Sequence, residues 1–344
     1  MSALAAAEHL VGLQAQNPWS PYHALHARLR AFDPATLSGA LERREAVRMV
    51  LMRGTIHLVS SRDAAVLRPV FQPVLDRELF STRTWGHGVA GVDLAPILAY
   101  AQQLVEAEPR SMQDLRGAIA ERWPELDAAS LAYAARNRLP TLQATPRGLW
   151  GRSGGVRLTT LRSWTGLDVG EDADPDAVLL RYLRAFGPAS VGDASAWSRL
   201  TGLREPFERL RPRLRVVRDE RGRELFDVED APLLTGDEPA PVRFLPDYDN
   251  ALLSHQDRSR IVPVLDWPDL GDNVTAPVFL VDGFVAGIWK SHGKGRATSI
   301  RLRPLVPVDR AARVAIEDEA ASLLTLIAPA ADPGAITWWR ADDS

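Results

Sequence analysis

The chain has 344 residues, 46% hydrophobic and 25% charged, which suggests two or three domains with substantial cores. It contains no apolar run of about 18 residues to span a bilayer, and its opening MSALAAAEHL has Glu8 and no basic stretch, unlike a signal peptide, so a cytoplasmic location away from membranes is expected. The absence of Cys excludes disulfides, a thiol nucleophile, iron–sulfur clusters and Cys-ligated zinc, and a net charge of −3 argues at first sight against a nucleic-acid partner.

Leu4, Leu10 and Leu13 recur at helical spacing ahead of Asn17-Pro18 and predict a short first helix. A second helix is expected from Tyr22 to about Arg30. Asp33-Pro34, a cap followed by proline at the first helical position, opens a third to about Glu42. Two extended segments, Val47 to Met52 and Thr55 to Val59, then flank Arg53-Gly54. After a helical connector from Arg62 to Leu79 the order of three helices and a hairpin returns: Leu94 to Glu106, Ser111 to Arg122 and Leu126 to Leu139, then Leu142 to Thr145 and Val156 to Leu161 around RGLWGRSGG. A third round has helices near Asp176 to Phe186, Val191 to Arg199 and Glu205 to Leu214, and the hairpin RVVRDERGRELFDVE turning near Arg221-Gly222. The repetition is one of architecture only. Strands are expected at Val242 to Leu245, Val278 to Val281, Val285 to Trp289 and Ser299 to Val306, with Asp282-Gly283 a hairpin turn and a closing helix from Asp309 to Ile327.

The expected fold class is therefore α+β. Three tandem winged-helix units, each a helix-turn-helix plus a β-wing, occupy residues 1–60, 93–165 and 174–232; residues 61–92 form the connector. A β-rich region with the final helix fills 240–344.

The average charge hides a segregation. Arg136, Arg138, Arg147, Arg152, Arg157 and Arg162 lie in a stretch from Ala128 to Leu167 without one acid, and the stretch Lys290, Lys294, Arg296, Arg301 and Arg303 is equally acid-free. Such blocks read either as a phosphate track or as solvated surface. Trp150, in a glycine-rich wing loop, reads either as a base-stacking residue or as a side chain folded back on its own wing. The sequence has no P-loop, Rossmann glycine fingerprint, HExxH or G-x-S-x-G. His23 and His26 are one turn apart without a third ligand in sequence, so no metal and no cofactor is expected.

What stands out is Gln14-Ala15-Gln16, two amides one residue apart where a helix gives way to a loop. Extended backbone would point both to one side; a helix would splay them about 200° apart. GLQAQNPWSPYHALHARL, followed by RGTIHLVSSRD and FLPDYDNALLSHQDRSRIV, resembles the winged-helix DNA glycosylases of the AlkZ and YcaQ type. The resemblance covers most of the chain in the same order. It implies excision of bulky N7-alkylated purines from double-stranded DNA, including unhooking of interstrand crosslinks. The family's motif of Gln, an apolar residue and Gln maps onto Gln14, Ala15 and Gln16 as the catalytic residues, and Gln16 in place of Asp sides with the AlkZ-like branch. Family members carry more chain ahead of this motif, so the first winged helix is expected to be shortened or to start differently.

The chemistry is consistent with amides. An N7-alkylated purine is a cationic leaving group, so what remains is to place a water and face an oxocarbenium-like sugar with a dipole. Gln cannot act as a general base, and acceleration is expected only for labile lesions. The sequence contains two Lys, Lys290 and Lys294, both in the distal β-rich region; hydrolysis without lyase activity is expected, by a monomer. Arg53, His57, Arg136, Arg138, Trp150, Arg152 and Arg258 are candidates for touching DNA. His57 reads either as orienting DNA or as packing, and Asp247, Asp249, His255 and Arg258 either anchor a turn or line the DNA channel. The rival reading is a noncatalytic winged-helix DNA-binding regulator.

Overall fold

The computed structural model describes residues 1–81, 84–232, 235–236, 238–262 and 276–339. The protein is α+β and divides into two compact units, Met1–Trp19 with Asp33–Glu229 and Ser20–Phe32 with Asp230–Ser344.

The first unit opens with α1 (Ala3–His9), capped by Ser2, whose hydroxyl accepts the Ala5 N–H at 3.1 Å, and continues into β1 (Leu13–Gln14). Positive φ at Val11 and Gly12 turns the chain sharply between them, so Leu13 leaves the helical series its spacing suggested and enters a strand. Helix α2 (Ser20–His26) belongs to the second unit. Asp33 caps α3 (Pro34–Glu42) by accepting the Ala35 N–H at 2.9 Å, with Pro34 in the first turn. Strands β2 (Ala46–Val50) and β3 (Ile56–Ser60) pair antiparallel around a 3-10 turn, Met52–Gly54, in which Arg53 (φ 58°) and Gly54 (φ 70°) are both left-handed. Gly54 takes this left-handed conformation without the strain a side chain would bring.

Helix α4 (Ser61–Ser81) and the short α5 (Gly86–Val89) lead to α6 (Ala95–Ala107), α7 (Met112–Arg122) and α8 (Ala128–Arg138). These bury Leu79, Ile97, Val105, Leu115, Ile119 and Leu131 in one cluster. Each such side chain contributes about 1.5–3 kcal/mol of burial. Then follow β4 (Thr141–Gln143), β5 (Leu158–Thr160), α9 (Leu161–Thr165), α10 (Pro175–Phe186), α11 (Val191–Ser198), α12 (Arg204–Leu210) and the hairpin of β6 (Leu214–Arg218) and β7 (Glu224–Val228). The first two expected hairpins join, through Met49 opposite Leu142, into one five-stranded sheet of order β1-β3-β2-β4-β5. Only the third remains a separate ribbon.

The second unit holds β8 (Arg243–Leu245), α13 (Asn250–Leu253), β9 (Val278–Val281), β10 (Phe284–His292), β11 (Ser299–Pro304), α14 (Arg310–Ile327) and β12 (Ile336–Trp338). Its sheet order is β12-β11-β10-β9-β8. Asp282 and Gly283 both take positive φ, the conformation a two-residue hairpin needs. Ile316, Ala320, Leu323 and Leu324 of α14 share a core with Phe244, Phe279, Trp289 and Leu302. Segment 20–32 joins this unit because Ala27 enters its core, Arg28 forms a two-pronged ion pair with Asp249 (2.6 and 2.9 Å), and the Ser20 hydroxyl donates to Asp247.

Candidate active site

Gln14 and Gln16 lie in the first unit at the end of the edge strand β1. Gln14 is opposite His57 of β3, and the ladder ends with the Ala15 N–H donating to the Ile56 carbonyl at 2.7 Å. Gln14 is the last residue of the strand and Gln16 lies two residues further on, in a bend. Gln14 is buried at 6% exposure, whereas Gln16 is exposed.

Each amide is held by a donor. Arg53 Nη2 donates to Gln14 Oε1 at 2.7 Å, and the Ile56 N–H donates to Gln16 Oε1 at 2.9 Å. A guanidinium and a peptide N–H can only donate, so both side chains must present oxygen to the protein. Neither amide NH2 group makes a hydrogen bond among the described residues. Each carbonyl oxygen keeps a second lone pair. Each oxygen is thus shared with the protein, and the groups left over are the NH2 donors.

Arg53 is the hub of this arrangement. Its Nη1 donates to the Trp197 carbonyl at 2.5 Å, and its Nη2 also lies 3.2 Å from His57 Nε2. His57 Nδ1 faces the Thr55 carbonyl at 3.0 Å, so the ring is fixed as the neutral Nδ1–H tautomer, donating to Thr55 and accepting from Arg53. Burial, then the charge of Arg53, push the His57 pKa down to about 3. Burial, then Arg199, push Arg53 down to about 10, which leaves it charged at neutral pH. His57 is fully buried and Arg53 bonds inward, so the structure brings both to the Gln pair as its supports.

The other candidates are dispersed. Trp150 meets Trp19 edge-on at 5.5 Å, and its backbone N–H donates to Ser38 Oγ at 2.9 Å, so the loop is tied back on the first unit. Arg138 pairs with Asp76 at 3.0 Å and Arg152 lies 3.9 Å from Glu42, while Arg136 caps the face of Tyr133 at 5.4 Å. In the second unit Arg258 sits in the 3-10 turn Arg258–Arg260, half-buried, its pKa lowered by burial. Asp249 caps α13 through the Ala251 N–H at 2.9 Å while holding Arg28, and His255 contacts Ser254 and Arg260. His23 packs edge-on against Trp289 and its pKa is lowered to about 4 by burial, then by His26. Among the described residues no three His, Asp or Glu side chains gather to hold a metal ion, and no helix is long and apolar enough to cross a membrane.

Sequence reasoning passed over one residue that reaches this site. Arg48 of β2, 1% exposed, donates from Nη2 to the Ala15 carbonyl at 2.6 Å and from Nη1 to Gln143 Oε1 at 2.8 Å. A charged residue in the middle of the otherwise apolar strand AVRMV is the signal that could have found it.

The family model described as DNA glycosylase AlkZ-like matches residues 7–326 of this sequence. Among solved structures, Streptomyces sahachiroi DNA glycosylase AlkZ matches with a TM-score of 0.75 at 20% identity, covering 95% of this chain and 91% of that one. No curated protein is significantly similar in sequence. At that identity the structural likeness carries the fold.

Proposed function

The chain belongs to the AlkZ-like DNA glycosylase family and is a DNA glycosylase, and from that premise we propose that it hydrolyses the N-glycosidic bond of cationic N7-alkylated purines, interstrand crosslinks through such purines included, with Gln14 and Gln16 as the catalytic residues. What supports this reading is the pair of pinned amides at the end of an edge strand, each with one oxygen lone pair and an NH2 group to spare. Pinning matters because a group already held in its working geometry needs no reorganisation as charge develops.

The two amides have different characters. The Arg53 charge on Gln14 Oε1 draws electron density from that amide, weakening the oxygen as an acceptor and strengthening the NH2 as a donor. Gln14 therefore donates to an oxygen of the lesion nucleotide. Gln16, held by a neutral peptide N–H and exposed, is the better acceptor and orients the attacking water. An alkylated purine departs without prior protonation, so this site needs no strong acid. In this reading DNA is approached by three winged-helix units, with α3, α8 and α12 in the place of the third helix that enters a major groove. The first of them departs from the pattern, since its middle helix α2 belongs to the second unit.

The test is incubation of the protein with a duplex carrying one N7-methylguanine. Release of the free base is expected, and it should fall about 100-fold in Gln16→Ala. Tight DNA binding without any base release would favour the noncatalytic regulator instead.

A further inference from the structure

We propose that Arg48 is a positioning residue of the glycosylase site: its guanidinium braces the backbone of the Gln14-Ala15-Gln16 motif and so sets where both amides stand. The inference rests on the reading of the Gln pair as catalytic. Strand β1 is two residues long, and beyond it the Ala15 carbonyl, on a fully buried residue, must find a partner outside the ladder. Arg48 supplies it at 2.6 Å. The strand order places β3 between β1 and β2, so the Arg48 side chain reaches across a strand to do so, and its other terminal nitrogen is tied to Gln143 of β4 at 2.8 Å. A planar fork bonded at both prongs has little freedom left, which a Lys ammonium on a flexible stem would not reproduce.

A second observation points the same way. Gly148, at φ +94°, lies over the guanidinium stem, and a Cβ there would come within 2.7 Å of Arg48 Cδ. The chain thus leaves room for this side chain from a third segment. With Ala15 N–H on Ile56 and Ala15 C=O on Arg48, each of the two peptide links that join Gln14 to Gln16 is held by one hydrogen bond. A displacement of about 1 Å at a reacting group can cost about 100-fold in rate.

The test is a double-mutant cycle on base release from N7-methylguanine duplex at saturating enzyme, with DNA affinity read in parallel. Arg48→Met should lower the rate at least tenfold with affinity within twofold of wild type, and Arg48→Lys should recover part of the loss. In a Gln14→Ala/Gln16→Ala background Arg48→Met should cost nothing further, because no amide is left for it to position. Multiplying effects, or a wild-type rate in Arg48→Met, overturn the proposal. A wild-type rate in Gln16→Ala overturns the catalytic reading itself and the proposal with it. Hydrogen exchange without DNA gives a readout independent of activity: residues 12–17 should exchange at least tenfold faster in Arg48→Met while residues 57–60 hold, and unchanged protection of residues 12–17 overturns the bracing role. If Arg48→Met does not fold, Gln143→Leu, which frees one prong only, should show a smaller loss with the same non-additivity, and additivity there is equally fatal.

Discussion

A carbonyl oxygen has two lone pairs, so an amide can be bolted to a protein by one and still meet a ligand with the other. That is the state of Gln16, and it makes substitutions there informative. Gln16→Ala should reduce base release about 100-fold, the scale of losing one positioned polar group, with duplex affinity nearly intact, since the amide acts on a water and not on phosphates. Gln16→Glu keeps an oxygen within reach of the Ile56 N–H and should retain activity; a dead but folded Gln16→Glu would rule out the water-orienting role. His57 carries a different prediction. Its pKa stands at about 3 in the folded protein, against an ordinary value near 6.5 when unfolded. Above pH 6.5 neither state binds the proton and the full stability is present. As pH falls from 6.5 toward 3 only the unfolded chain takes it up, and stability drops by up to about 1.4 kcal/mol per pH unit. His57→Gln should remove this share of the acid sensitivity, shrinking the difference in urea-unfolding free energy between pH 7 and pH 5 by about 2 kcal/mol; an unchanged difference would show that His57 is not held neutral.

Elements bring together charges that sequence keeps apart. The acid-free Arg block is balanced in space: Arg138 by Asp76 of α4, Arg157 by Asp114 of α7 and Arg162 by Asp168. Arg136, over Tyr133, makes no ion pair among the described residues. If α8 contacts DNA, Arg136→Gln should lower the salt slope of binding by about 0.9, the value of one released counterion, whereas Arg138→Gln should change it little because Asp76 already competes for that charge. Equal slopes in both would return the whole block to solvated surface. The same contrast explains what could be read in advance. Caps at Asp33, Ser111 and Asp309 and the Asp282-Gly283 turn act within a few residues, so helices and hairpins were legible to within a turn or so. The merging of two hairpins through Met49 and Leu142, and the transfer of segment 20–32 through Arg28 and Asp249, depend on partners about 93 and about 221 residues away, beyond any local period. At the site the Gln pair was visible as a motif. The orientation of its amides was not, since that depends on Arg53 and Ile56 arriving from another strand.

At the scale of the molecule, the distribution of reactive groups limits which reaction can follow base loss. Cutting the strand through a Schiff base needs an uncharged amine at the sugar C1′, and the groups bonded to Gln14 and Gln16 include no amine, the sequence holding two lysines, Lys290 and Lys294. Around the pinned amides the supporting groups are a guanidinium that stays protonated and an imidazole sealed in its neutral form, neither able to give a proton to a departing neutral base at pH 7. A base that already carries positive charge needs none. Uracil, whose glycosidic bond is stable in the neutral base, should therefore remain in place under conditions that release N7-methylguanine. The product of the latter should be an intact strand with an abasic site: full length on a denaturing gel until hot alkali is added, and without a covalent protein–DNA adduct when borohydride is present during turnover. A borohydride-trapped complex would show that an amine attacks the sugar, and efficient uracil release would show that a proton donor operates which the Arg53 and His57 environment does not provide.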